Sequence, residues 1–208
     1  MLDSPMRRLI DPPLNAVGRA LARAGVGANT VTLLGLALAL GTAVAIAAGQ
    51  LTLALALLAA NRIVDGLDGA VARATRLTDT GGYLDSVCDY VFYAAIPLGF
   101  AWQLPASNAL PAAALLASFL LTAASFLGFA TLAAKRGLTS QSQGRKSFYY
   151  SRGLIEGTET IAAFAAMLLW PAWFGQIAWT LAALCVLTAL LRTVAALRAF
   201  GEHGRGGG

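Results

Sequence analysis

The residues of this chain best suited to chemistry are four aspartates: Asp65 and Asp68, three apart, then Asp85 and Asp89, four apart. On an α-helix either spacing sets both carboxylates on one face. Two antiparallel helices joined by a short loop can therefore turn their pairs toward each other. Oxygen donors converging from two helices suit a hard divalent cation such as Mg²⁺, Mn²⁺ or Ca²⁺. Zinc suits them less, because the cluster has no histidine and the nearby Cys88 is expected to point off the Asp85–Asp89 face. The competing reading is a salt-bridge network with Arg62, Arg73 and Arg76. Those arginines are few, and they leave the surrounding glycines without a role. Gly69 and Gly81, each one turn from an aspartate, would make room for a bulky ligand beside the metal, whereas close helix packing explains Gly66 equally well.

The helices that carry these pairs belong to an apolar chain. Of its 208 residues 58% are hydrophobic and 12% charged, against about a quarter charged in an average soluble domain. The bilayer is the solvent such a composition implies. Six stretches, 29–49, 51–73, 81–104, 108–134, 150–171 and 174–198, have the roughly 20 residues that a crossing helix needs. They predict an all-α integral membrane protein of six transmembrane helices, forming one domain over 1–200. The first 25 residues lack the apolar run of a cleavable leader. Arg7, Arg8, Arg19 and Arg23 lie opposite Leu9, Ile10, Leu14, Val17 and Leu21, so the segment reads as an amphipathic helix on the membrane surface. Residues 201–208, with the only histidine, His203, read as a disordered tail. Cys88 and Cys185 read as packed thiols.

The net charge of +5 is distributed as topology and gives no support to a nucleic-acid partner. Arg73, Arg76, Lys135, Arg136, Arg145, Lys146, Arg198 and Arg205 flank the ends after spans two, four and six, and the opposite connections carry no Lys or Arg. The positive-inside rule puts both termini and the aspartates on the cytoplasmic side of the cell inner membrane, with Trp102, Trp170 and Trp173 marking the outer interface. Each intramembrane charge costs about 2.5–3.5 kcal/mol on insertion scales, which again calls for a cation at the cluster.

The pattern D-x-x-D-G-x-x-A-R from Asp65 to Arg73, seven residues, then G-x-x-x-D-x-x-x-D from Gly81 to Asp89 resembles the signature of the CDP-alcohol phosphotransferase family. Six spans, a cytoplasmic site and an interfacial N-terminal helix extend the likeness over the whole chain. Within the family it looks most like a bacterial phosphatidylglycerophosphate synthase-like branch, through the segments beginning at Lys146 and Gly157. The resemblance implies metal-dependent transfer of a phosphatidyl group from CDP-diacylglycerol to an acceptor hydroxyl, with release of CMP. It implies Mg²⁺ or Mn²⁺, two ions in all, at Asp65, Asp68, Asp85 and Asp89, with Asp89 also the general base. Asn29, Thr32, Asp65, Gly69, Ala72, Arg73 and Gly81 would line the CDP pocket; Ala28 stands where the family commonly has proline. The family also implies a homodimer.

The acceptor is open at this stage. Lys146 and Arg152 could hold the phosphate of glycerol 3-phosphate. Glu156 and Glu159, three apart on the fifth span, could instead meet the hydroxyls of an uncharged polyol or the ammonium of an amino-alcohol, pair with Arg152 or Arg62, or reach the metals. A lipid acceptor is a further alternative. From other classes, a polytopic prenyltransferase would need a longer chain. A cation transporter would use the same aspartates but needs polar residues through the outer half of the membrane.

Overall fold

The computed structural model describes residues 3–136, 155 and 157–202. Helix α1 (Asp3–Arg23) leads into α2 (Ala28–Ala47), α3 (Leu51–Ala74), α4 (Asp79–Gln103) and α5 (Pro105–Lys135). The next described helix is α6 (Gly157–Leu169), followed by a short 3-10 turn (Pro171–Trp173) and α7 (Phe174–Glu202). There is no strand among the described residues. The chain is an all-α integral membrane protein.

Four helical segments among the described residues are long and apolar enough to cross a bilayer: α2, α4, α5 and residues 171–201. Helix α3 has 24 residues, enough to span about 30 Å at 1.5 Å per residue, but its second half carries Arg62, Asp65, Asp68 and Arg73. Of the fifth expected span, 150–171, residues 150–154 and 156 lie outside the described residues, and the rest contains the apolar helix α6. The expected six are thus seen as four apolar spans, one span-length helix with a charged half, and one shorter apolar helix. Helix α7 continues through Gly201 and Glu202, into the stretch expected as a tail; His203 lies outside the described residues.

The connection between α2 and α3 shows how tightly the chain reverses. Gly49 follows α2 at φ 74°, where a side chain would be strained. Its N–H donates to the Ile46 carbonyl at 2.9 Å and that of Gln50 to Ala45 at 2.8 Å, a Schellman closure. At the other end of α3 the chain turns through residues 75–78. Thr78 then caps α4, its hydroxyl oxygen accepting from the Gly81 N–H at 3.1 Å, with Asp79 in the first turn where a carboxylate favours the helix dipole. These two closures make α2, α3 and α4 a compact antiparallel unit.

The core fills the space between this unit and α5 to α7. Phe92, Ile96 and Phe100 of α4 are buried with Phe164 and Met167 of α6, Leu115 of α5 and Phe174 of α7. Phe100 stacks on Phe174 at 4.4 Å between ring centroids. The α2–α4 crossing is so close that a Cβ on Gly99 would stand 2.8 Å from the Ala43 carbonyl oxygen; the helix axes approach because no side chain separates them. On the far side, buried Arg192 of α7 donates to the Thr122 carbonyl at 3.2 Å and the Ser125 hydroxyl at 3.3 Å, both on α5. It is an intramembrane cation that sequence reading passed over.

Helix α1 has a protein partner that its amphipathic pattern did not reveal. Leu14 and Gly18 face α3, where a Cβ on Gly66 would meet Leu14 at 2.6 Å and one on Gly18 would meet Ala70 at 2.6 Å. Val17, expected on the membrane-facing stripe, is 47% exposed. Gly66 therefore serves close helix packing, with α1 as the neighbour.

Candidate metal centre

The charged half of α3 and the first half of α4 both pack against α2 and face one cavity, and their inward positions recur at helical spacing. On α3 these are Arg62, Asp65 and Asp68; on α4 they are Asp85, Cys88, Asp89 and Phe92. Together with Thr32 of α2 they line one cavity. Asp65, Asp85 and Asp89 each offer a carboxylate oxygen, and these atoms lie within 4.8 Å of one another. Three negative charges about 5 Å apart repel by roughly 3 kcal/mol per pair at an effective dielectric near 20. Hard oxygen donors at this separation fit a divalent cation of the Mg²⁺ or Mn²⁺ type.

Asp68, predicted as a fourth ligand, lines the same cavity just outside that group of three. Its Oδ2 accepts from the Thr32 hydroxyl at 2.9 Å, and the residue is 6% exposed. Thr32, expected only as a nucleotide contact, thus holds a carboxylate in place. Cys88 also departs from expectation: it lines the cavity instead of pointing away. The reason is the helical repeat, since 85, 88, 89 and 92 are one face at i, i+3, i+4 and i+7. The thiol is nonetheless outside the group of converging ligand atoms.

At the inner end of the cluster Arg62 is held from three helices. Its Nε lies 2.8 Å from the Asn61 Oδ1, and Asn61 Nδ2 donates to the Gly35 carbonyl of α2 at 2.7 Å. Its NH1 is 3.5 Å from Asp65 Oδ2, and its guanidinium carbon stands 3.8 Å from the Phe92 ring centroid of α4. Asn61 had no role in the sequence reading; the signal that could have found it is a polar amide beside an arginine in mid-span.

At the opposite end of the cluster the remaining nucleotide candidates surround the open end of α3. The Arg73 guanidinium lies over Gly69, 3.1 Å from where a Cβ would be, and its NH2 donates to Asn15 Oδ1 of α1 at 3.0 Å. Asn29, exposed in the first turn of α2, sits beside Gly81, its Oδ1 3.3 Å from a Cβ placed there. Ala72 is half-buried one residue before Arg73. The structure therefore sets Asn29 beside Gly81 and Arg73 beside Gly69, and none of these four is among the residues that line the carboxylate cavity. Glu159 is half-buried in the first turn of α6. Lys146, Arg152 and Glu156 lie outside the described residues.

The profile of the CDP-alcohol phosphatidyltransferase family matches residues 26–191. The chain is 44% identical over 192 residues to the inner membrane protein YnjF of Escherichia coli (strain K12), covering 92% of this chain and 93% of that one. It is 32% identical over 99 residues to the archaetidylinositol phosphate synthase of Pyrococcus horikoshii, covering 47% of this chain and 53% of that one. In fold it is similar to the phosphatidylinositol phosphate synthase PgsA1 of Mycobacterium tuberculosis. The form in complex with manganese and citrate superposes at a TM-score of 0.70 and 21% identity over 88% of each chain. The form with CDP-DAG bound gives 0.65 and 23%, over 88% of this chain and 93% of that one.

Proposed function

This chain belongs to the CDP-alcohol phosphatidyltransferase family and is a transferase; from that premise we propose that it moves a phosphatidyl group from CDP-diacylglycerol to an acceptor hydroxyl and releases CMP. The observation that carries this reading is the convergence of the Asp65, Asp85 and Asp89 oxygens within 4.8 Å, beside the helix end where Arg73 overlies Gly69. The cation-transporter reading gives way to family membership.

Asp65, Asp68, Asp85 and Asp89 would hold the divalent ions, Mg²⁺ or Mn²⁺ and two in number, whose charge when bound offsets that of the donor pyrophosphate and the departing CMP. Asp89 takes the proton of the acceptor hydroxyl as its oxygen bonds to the phosphatidyl phosphorus. The bond from that phosphorus to the CMP oxygen breaks, and CMP leaves with its electron pair. Arg73 offers a planar fork of donors to the pyrophosphate oxygens, and Asn15 fixes its direction through one of them. Gly69, Ala72 and Gly81 keep the mouth of the site low enough for the nucleotide, and Asn29 stands beside Gly81 to reach it. Thr32 acts through Asp68, which it keeps oriented.

For the acceptor, glycerol 3-phosphate is the first reading, its phosphate met by Lys146 and Arg152. A half-buried carboxylate at Glu159, with Glu156, favours a second reading, in which the acceptor is an uncharged polyol, an amino-alcohol or a lipid hydroxyl. The distribution of basic residues supports a site and termini facing the cytoplasm from the cell inner membrane, and the family supports a homodimer of a single domain over 1–200. The deciding experiment offers purified protein CDP-diacylglycerol, Mg²⁺ and, one at a time, glycerol 3-phosphate, glycerol, serine, inositol phosphate and phosphatidylglycerol, and follows CMP. Release with glycerol 3-phosphate is the expected result. Release only with uncharged acceptors would end the first reading in favour of the second.

A further inference from the structure

Among the described residues lining the carboxylate cavity, Arg62 alone is cationic. It is anchored through Asn61 to the Gly35 carbonyl of α2, against the Phe92 ring of α4, and beside Asp65 on its own helix. An arginine in mid-span is costly where a packing role alone would be met by an apolar side chain. The carboxylates are what offset that cost. Its charge is permanent, and its contacts with Asn61 and Phe92 do not depend on the carboxylates. We propose that Arg62 is a positioning residue acting through Asp65: a built-in counter-charge that keeps the carboxylates assembled without a divalent ion and competes with that ion for Asp65.

Two effects follow from one fixed positive charge beside the ligands. Without a divalent ion it offsets repulsion among Asp65, Asp85 and Asp89, so the helix pair stays assembled. With the ion present it repels a second, larger positive charge, so the ion is held more loosely than three carboxylates would otherwise hold it. The ion is then retained best when the anionic phosphates of a substrate share the cavity. This inference deepens the metal-centre reading and rests on it.

The test is a Mn²⁺ binding isotherm on purified full-length protein without substrate, paired with thermal unfolding in EDTA and in saturating Mn²⁺. Arg62→Met is expected to bind Mn²⁺ about tenfold more tightly than wild type. It should unfold at a lower temperature than wild type in EDTA, with the deficit removed in Mn²⁺. Arg62→Gln, which keeps a donor for Asn61, carries the same expectation should the Met variant fail to fold. Arg62→Lys, which keeps the charge, should stay within about threefold of wild type. Equal or weaker Mn²⁺ binding by both neutral variants would overturn the proposal, and so would a loss of stability that Mn²⁺ leaves unchanged. Asp85→Asn separates the two claims: if it weakens Mn²⁺ binding while the Arg62 variants behave as wild type, the metal centre stands and the counter-charge falls. Absence of Mn²⁺ binding by wild type would remove both.

Discussion

At the scale of single residues, the four aspartates divide into different tasks. Asp65, Asp85 and Asp89 converge, whereas Asp68 is held by Thr32. Asp89→Asn keeps shape and polarity but cannot accept the proton of an attacking hydroxyl. Its rate of CMP formation should fall by about 10²–10⁴-fold, with KM for CDP-diacylglycerol changed far less; turnover at the wild-type rate would remove Asp89 as the base. Thr32→Val removes the side-chain donor of the buried Asp68 carboxylate. It should cost about 1–3 kcal/mol, read as a lower unfolding temperature in EDTA, with part of the loss restored by Mg²⁺. The aspartate spacing made the convergent trio legible in the sequence. The Thr32–Asp68 bond was not legible, because it joins residues 36 positions apart across two helices. Cys88 could have been placed correctly from the helical repeat alone, since it stands three residues after Asp85.

At the scale of elements, α1 packs against the helix that carries Asp65 and Asp68. It seats Gly18 on Ala70 and Leu14 in the gap left by Gly66, and Asn15 reaches Arg73. Sequence periodicity showed a helix with an arginine-bearing face, and it did so because charge and hydropathy alternate along the chain. What the opposite face touches was hidden, for a glycine reads as a gap until its partner is known. Gly18→Leu would push α1 off α3 at a cost of about 1–3 kcal/mol. The measurable consequence is faster tryptic cutting after the exposed Arg19 and Arg23, with the remaining helices intact. Cutting at the wild-type rate would show that α1 is not held by this contact. The span helices were nearer to expectation: 29–49 is found as Ala28–Ala47, 81–104 as Asp79–Gln103, and 108–134 as Pro105–Lys135. Their ends shifted where local chemistry decides, at the Gly49 closure and the Thr78 cap, and at Pro105, whose ring suits a first helical turn.

At the scale of the whole molecule, the described helices set the polar cavity between α2, α3 and α4 within a largely apolar bundle. Composition and hydropathy revealed the helical membrane class, and the eight-position signature revealed the family, since both depend on residue type and local spacing. The cross-helix anchors of Arg62 and Arg192 depend on which helices become neighbours, and no local pattern reports that. Orientation belongs to this scale as well. Reporter fusions after residue 208 should be active in the cytoplasm and silent outside, and the reverse pattern would invert the proposed topology. The central claim is that the carboxylate cluster works as a metal centre for release of CMP. It is tested most directly by following CMP formation from CDP-diacylglycerol with the acceptor that reacts, in EDTA and after repletion with Mg²⁺, for wild type and Asp85→Asn. The account predicts wild-type activity that EDTA abolishes and Mg²⁺ restores, with Asp85→Asn inactive in both conditions. CMP formation that persists in EDTA, or that survives Asp85→Asn undiminished, would contradict it.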